Sequence, residues 1–245
     1  MKKEIVTLGA VVMLVGAMLG AAPGNGTATA TKQAASVPAT AEDTGFYTKR
    51  EGIERGKVEK AEYESKTLSA TYVTGVYLPP GYDKTKKYPV LYLLHGANGN
   101  EDSWVKDENA DVVLDNLYAD KKAVPMIVVM PSTVAKGALP AGGRNMQAFM
   151  TASARFGEVL TKDLVPFIEG KYAVAADAEH RAVAGYSAGA AEALNTGLAN
   201  VDMFAWVAGF SPPINDNKAV GGIKDAEAAA KKLRLVWISC GEQDR

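Results

Sequence analysis

The sequence predicts an α/β fold: a mostly parallel sheet with helices on both faces, entered through antiparallel strands. Four short apolar runs, at 89–94, 126–130, 181–184 and 235–240, do not alternate polar with apolar residues. That is the pattern of strands buried on both faces, and 204–210 supplies a fifth run. Helical patterns separate the runs, and strand alternating with helix implies parallel pairing. Upstream, 58–65 and 70–78 are β-prone and end at Pro79-Pro80-Gly81, which reads as an antiparallel pair. The clearest helical pattern covers 156–172, where Phe156, Val159, Leu160, Leu164, Phe167 and Ile168 share one face. Pro166 lies inside that pattern and is expected to kink the helix or to mark its start.

The chain has 245 residues, 47% of them hydrophobic and 22% charged, enough for one domain with a substantial core. Lys+Arg 27 against Asp+Glu 28 leaves a net charge of −1, with no run of like charge, so nucleic acid is not expected as a partner. Met1-Lys2-Lys3 leads into an uncharged apolar stretch at 5–22, and Ala28-Thr29-Ala30 follows as a small-x-small cleavage site. Residues 1–30 therefore read as a signal peptide and the protein as secreted, extracellular or periplasmic. Left uncleaved, the same stretch is long enough to anchor the chain, which would then meet a membrane only through that segment. No cysteine adjoins it to support a lipoprotein anchor. Residues 31–46, rich in Ala, Thr, Lys and Ser, read as a linker, and 47–245 as the globular domain. Cys240 is the single cysteine, so no internal disulfide forms, and at the end of an apolar run it reads as a small core residue.

Three motifs fall where strands are expected to end. Gly185-Tyr186-Ser187-Ala188-Gly189 follows the run 181–184 and precedes an Ala-rich helical stretch, 190–199. Strand, sharp turn and helix are the setting in which G-x-S-x-G is a nucleophile elbow, presenting Ser187 at the carboxyl edge of the sheet. The same motif identifies the α/β-hydrolase fold. Leu93-Leu94-His95-Gly96-Ala97-Asn98-Gly99 is a glycine-rich loop able to turn backbone N–H groups toward a developing oxyanion, assigned to the N–H groups of Ala188 and Ala97. His95 reads as a residue that braces this loop, and as a general base only second. Ser239-Cys240-Gly241-Glu242-Gln243-Asp244 ends the last run; Asp244 fits the place of a triad acid, with Glu242 as the competing carboxylate. No His, Cys and carboxylate cluster has metal-ligand spacing and no phosphate loop appears, so neither metal nor other cofactor is expected.

Together Tyr77-Leu78-Pro79-Pro80-Gly81-Tyr82, the segment Tyr88 through Gly96, the segment Glu179 through Gly189 and Cys240-Gly241-Glu242-Gln243-Asp244 resemble the family-1 carbohydrate esterases, the feruloyl and acetyl xylan esterases. The likeness runs from about residue 57 to the end and is nearest in character to the feruloyl esterase domains of bacterial xylanases. It implies a serine esterase that removes feruloyl, in preference to acetyl, groups from plant polysaccharide such as xylan, with Ser187 as nucleophile and Asp244 as acid. Ala190-Ala191 and Ala188 depart from the family's usual glycines and methionine, which bears on pocket shape. Trp104 and Tyr186 are the candidate pocket residues, whereas Trp206 and Trp237 lie in apolar runs and read as core.

Two other readings stay open: hydrolysis of a siderophore or other small ester, and non-catalytic polysaccharide binding. One element is missing from every catalytic version. The base of such a triad follows the acid in chain order, yet the only histidines are His95 and His180. The resemblance therefore implies a domain whose last strand, helix and catalytic histidine lie beyond Arg245, and an inactive fragment as it stands.

Overall fold

The computed structural model describes residues 44–139, 146–213 and 226–241. Seven strands form one sheet in the order β1-β2-β4-β3-β5-β6-β7. Strands β1 (Lys57–Ser65) and β2 (Ala70–Leu78) pair antiparallel, and β2 joins β4 (Ile127–Pro131) antiparallel. From β4 onward every pairing is parallel, through β3 (Val90–Leu94), β5 (Arg181–Tyr186), β6 (Trp206–Phe210) and β7 (Leu235–Ser239). All residues of β3, β4 and β6 are buried, as unbroken apolar runs dictate.

Two apolar layers flank the sheet. One holds Val90, Tyr92 and Leu94 of β3 against Phe156, Leu160, Leu164 and Ile168 and against Leu194 of α6 (Ala188–Ala199). The other holds Leu91 and Leu93 against Trp104 of α1 (Ser103–Lys106) and Val113, Leu114 and Leu117 of α2 (Ala110–Ala119). Alternate residues of one strand thus feed opposite layers, as the twofold period of a strand requires.

The pattern predicted over 156–172 is broken into three pieces. α4 (Phe156–Val159) passes through a π-helical turn (Leu160–Leu164) into α5 (Val165–Lys171), with Pro166 in the first turn of the last piece. Proline lacks the N–H that an α-helical ladder would use there, and the wider turn accommodates the interruption. Three further differences from the sequence reading concern surface. Cys240 is exposed, not a core residue, because it follows a strand whose outer face is open: Val236 and Ile238 are 42% and 51% exposed. Trp206 is buried and donates its indole N–H to the Glu179 carbonyl at 2.8 Å, but Trp237 is only partly covered. At the other end the linker boundary shifts: Gly45 and Phe46 already lie against α2, where the buried Asn116 amide donates to the carbonyls of Gly45, Phe46 and Thr48. Residues 1–43, which carry the proposed signal peptide, lie outside the described residues. Among the described residues no helix is long and apolar enough to cross a membrane.

Candidate active site

Ser187 sits between β5 and α6 with φ 53° and ψ −123°, a conformation side chains rarely adopt. What holds it there is backbone. Its N–H donates to the Phe210 carbonyl at 2.9 Å, so β6 carries the turn, while its carbonyl accepts from Ala190 and Ala191 of α6 at 3.0 and 3.2 Å. Neither flanking glycine could carry a side chain: a Cβ on Gly185 would lie 2.4 Å from the Gly189 carbonyl oxygen, and one on Gly189 2.3 Å from the His95 carbonyl oxygen. Helix α6 is therefore driven end-on against the carboxyl end of β3. Ala188 opens that helix, and its N–H, in the first turn, has no helical carbonyl four residues back to bond. The helix N-terminus adds a partial positive charge beside the serine.

The loop after β3 comes to the same place. His95 is buried, its Nδ1 lies 2.7 Å from the Gly96 carbonyl and its Nε2 accepts the Thr133 N–H at 3.1 Å. A carbonyl can only accept, so the proton is on Nδ1 and both ring nitrogens are occupied. Burial pushes the imidazole below its ordinary pKa of 6.5, keeping it neutral, although the Gly96 bond and Glu101 pull the other way. A turn closed by Gly99 N–H to the Gly96 carbonyl at 3.1 Å, with Asn98 at φ 61°, then carries Ala97, which is half-buried. Gly96 has no room for a Cβ, because the Tyr186 ring would stand 2.8 Å from it.

Of the predicted pocket aromatics, Tyr186 is half-buried over Gly96. Trp104 is not a lining residue: it is 1% exposed and meets Tyr186 edge-on, centroids 5.5 Å apart at 87°, so it supports Tyr186 from behind. Asp244 and Glu242 lie outside the described residues. The strand leading to them is tied in, since Ser211 donates its N–H to the Ser239 carbonyl at 2.6 Å and itself takes φ 49°. His180 stands at the opposite end of β5, its Nδ1 2.8 Å from Asp177, and seven residues of strand place it on the order of 20 Å from Ser187. Among the described residues no group of His, Cys, Asp and Glu could hold a metal ion.

Sequence reasoning missed Thr133, Phe149 and Ser211. Thr133 follows β4 and Phe149 lies on α3 (Met146–Ser153), its ring 6.1 Å from that of His95. Neither carries a local signal, because each acts only across the fold. Nor did anything in the sequence signal the left-handed backbone of Ser211.

Comparison with known proteins points one way. A family model described as "Putative esterase" matches residues 65–241. The chain is 33% identical over 209 residues to an endo-1,4-beta-xylanase/feruloyl esterase of Xylanibacter ruminicola, covering 83% of this chain and 27% of that one. It is 30% identical over 172 residues to endo-1,4-beta-xylanase Y of Acetivibrio thermocellus, covering 66% and 14%. The chain thus spans about a quarter or less of the length of these curated relatives. A ferulic acid esterase from Anaeromyces mucronatus, solved in complex with ferulic acid, superposes with a TM-score of 0.68 at 29% identity, over 80% of this chain and 76% of that one. An S-formylglutathione hydrolase from Agrobacterium tumefaciens, 17% identical with a TM-score of 0.54 over 76% of each chain, shares the fold.

Proposed function

The chain belongs to this esterase family, and from that premise we propose that it is a secreted serine carboxylic ester hydrolase that removes feruloyl, ahead of acetyl, groups from plant polysaccharide such as xylan. The observation that carries the serine mechanism is Ser187 held at φ 53°, ψ −123° at the start of α6, a sparsely populated conformation of the kind that clusters at functional sites. The Ser187 hydroxyl oxygen attacks the acyl carbon while a base takes its proton, and the carbonyl oxygen becomes an oxyanion held by the N–H groups of Ala188 and Ala97. Collapse expels the sugar oxygen, which receives that proton and departs as a hydroxyl, leaving an acyl-serine. Water, deprotonated by the same base, then releases the carboxylic acid and restores the serine. Asp244 is the acid that orients the base. The chemistry calls for no metal or other cofactor.

Neither histidine of this chain suits the base. His95 has both nitrogens engaged in the fold, and His180 is at the wrong end of the sheet. The reading therefore assigns the base to neither of them. Its test is p-nitrophenyl acetate hydrolysis by the purified chain with and without added imidazole. Slow hydrolysis above the protein-free imidazole blank, raised by imidazole and removed in Ser187→Ala, is the expected result. An imidazole-stimulated rate above that blank retained by Ser187→Ala would overturn the nucleophile, and near-normal turnover lost in His95→Ala would make His95 the base. Ferulate release from feruloylated xylan, against cleavage of a catecholate trilactone, tests the substrate class.

A further inference from the structure

One helix touches the oxyanion loop without a part in the steps above. In α3, Phe149 is buried with its ring 6.1 Å from the His95 ring, so the helix is pinned to the residue from which Gly96 and Ala97 depart. Met146 and Met150 lie three residues before Phe149 and one after it, and they are 53% and 51% exposed. Residues i, i+3 and i+4 share one stripe of a helix, so Met146, Phe149 and Met150 form a continuous apolar surface running outward from His95. Among the described residues the other exposed large hydrophobics are Val58 on β1 and Val236 and Ile238 on β7, all on the outermost strands of the sheet. The methionine pair alone stands at the carboxyl end of the central strands, where open parallel sheets bind ligands.

We propose that Met146 and Met150 form the acyl-side wall of the site and take the planar ring of an aromatic, hydroxycinnamoyl-class acid. An acyl group whose carbonyl oxygen accepts from the Ala97 and Ala188 N–H groups projects its acid portion away from the sugar. An acetyl group ends before any such wall, whereas a ring conjugated to the carbonyl extends past the loop. Unbranched thioethers fit an aromatic face or edge and tolerate ring substituents, and sulfur–aromatic contacts add to the apolar burial. This inference rests on the esterase reading and adds the residues that would distinguish feruloyl from acetyl esters.

The test uses the 245-residue chain carrying 13C-methyl methionine, titrated with ferulic acid and, separately, with acetate. Ring-current shifts are expected at the Met146 and Met150 methyls, identified by their loss in Met146→Gln and Met150→Gln, and not at the buried Met126 and Met130. Acetate should shift neither, and the double variant should bind ferulate about tenfold more weakly, the size expected of two thioether–ring contacts. Both substitutions are at exposed helical positions and keep a good helix former, so an unchanged melting curve accompanies them. Ferulate that binds without moving either methyl, or binds the double variant equally well, overturns the wall and leaves the esterase reading standing. No ferulate binding at all, together with loss of Ser187-dependent hydrolysis, overturns the esterase reading, and the wall with it.

Discussion

The centre of the sheet and its last described strand are built from similar residues yet behave differently. At β3 and β5 an apolar run has a layer on each side, and the turns beyond it are fixed by main chain against main chain: Gly189 on the His95 carbonyl, Ser187 on the Phe210 carbonyl. At β7 the run Leu-Val-Trp-Ile-Ser is covered, among the described residues, on one side only. Ser187 and the loop of Ala97, the proposed nucleophile and oxyanion donor, thus rest on main-chain contacts, whereas the loop proposed to carry the acid leaves a strand that, among the described residues, is held on one edge and one face. The comparison teaches that the G-x-S-x-G turn and the His95 loop are fixed by main chain against main chain, and that among the described residues the end of β7 is where the energetic support is thin.

Four experiments break or sharpen that contrast, the first having the largest expected effect. Gly189→Val should destabilise the domain by about 3 kcal/mol or more, or prevent its folding, because main-chain oxygen cannot move aside as a side chain can; urea denaturation measures it. Leu91→Ala in β3 should cost about 3 kcal/mol, whereas Ile238→Ser in β7 should cost less than about 0.5 kcal/mol. Equal losses at the two sites would mean that β7 is as well packed as β3 and would remove the contrast. Ser187→Gly should stabilise the fold by about 1 kcal/mol while removing the proposed nucleophile, because glycine adopts φ 53°, ψ −123° freely. A fall in melting temperature for this variant would show that the elbow is not strained. The smallest effect is in pH dependence. His95 is depressed in the fold, so its contribution is complete above its unfolded pKa near 6.5 and is lost as pH falls below that toward its folded value. Stability should decline as pH falls below about 6.5, and His95→Gln should flatten that decline; an unchanged slope in the variant would assign it to other groups.

The parallel core was legible because an unbroken apolar run is a property of the sequence alone, and all five predicted runs are strands. The elbow was legible for a similar reason: its glycines are demanded by contacts within five residues or with the adjoining strand. The rest depended on distance. Nothing near Thr133 signals that its N–H meets a ring 38 residues away, and nothing near Trp104 signals that Tyr186 covers it. Cys240 was misplaced because an apolar run implies burial only where a layer exists to bury it, and among the described residues β7 lacks one on that face. Pro166 announced an interruption, but whether as a kink, a start or a π turn is settled by packing against β1 and α6.

The bond from the Ser187 N–H to the Phe210 carbonyl also sets an order of events. A tight turn formed from G-x-S-x-G alone would leave that amide open to solvent, so its protection requires β6 to have docked on β5. The β3–β5 pairing on the other side joins residues some ninety positions apart, for example Val90 with Arg181, a closure slow to find. Hydrogen exchange at this one amide therefore reports whether the central strands have assembled, and during refolding it should become protected only after helix α6 has formed.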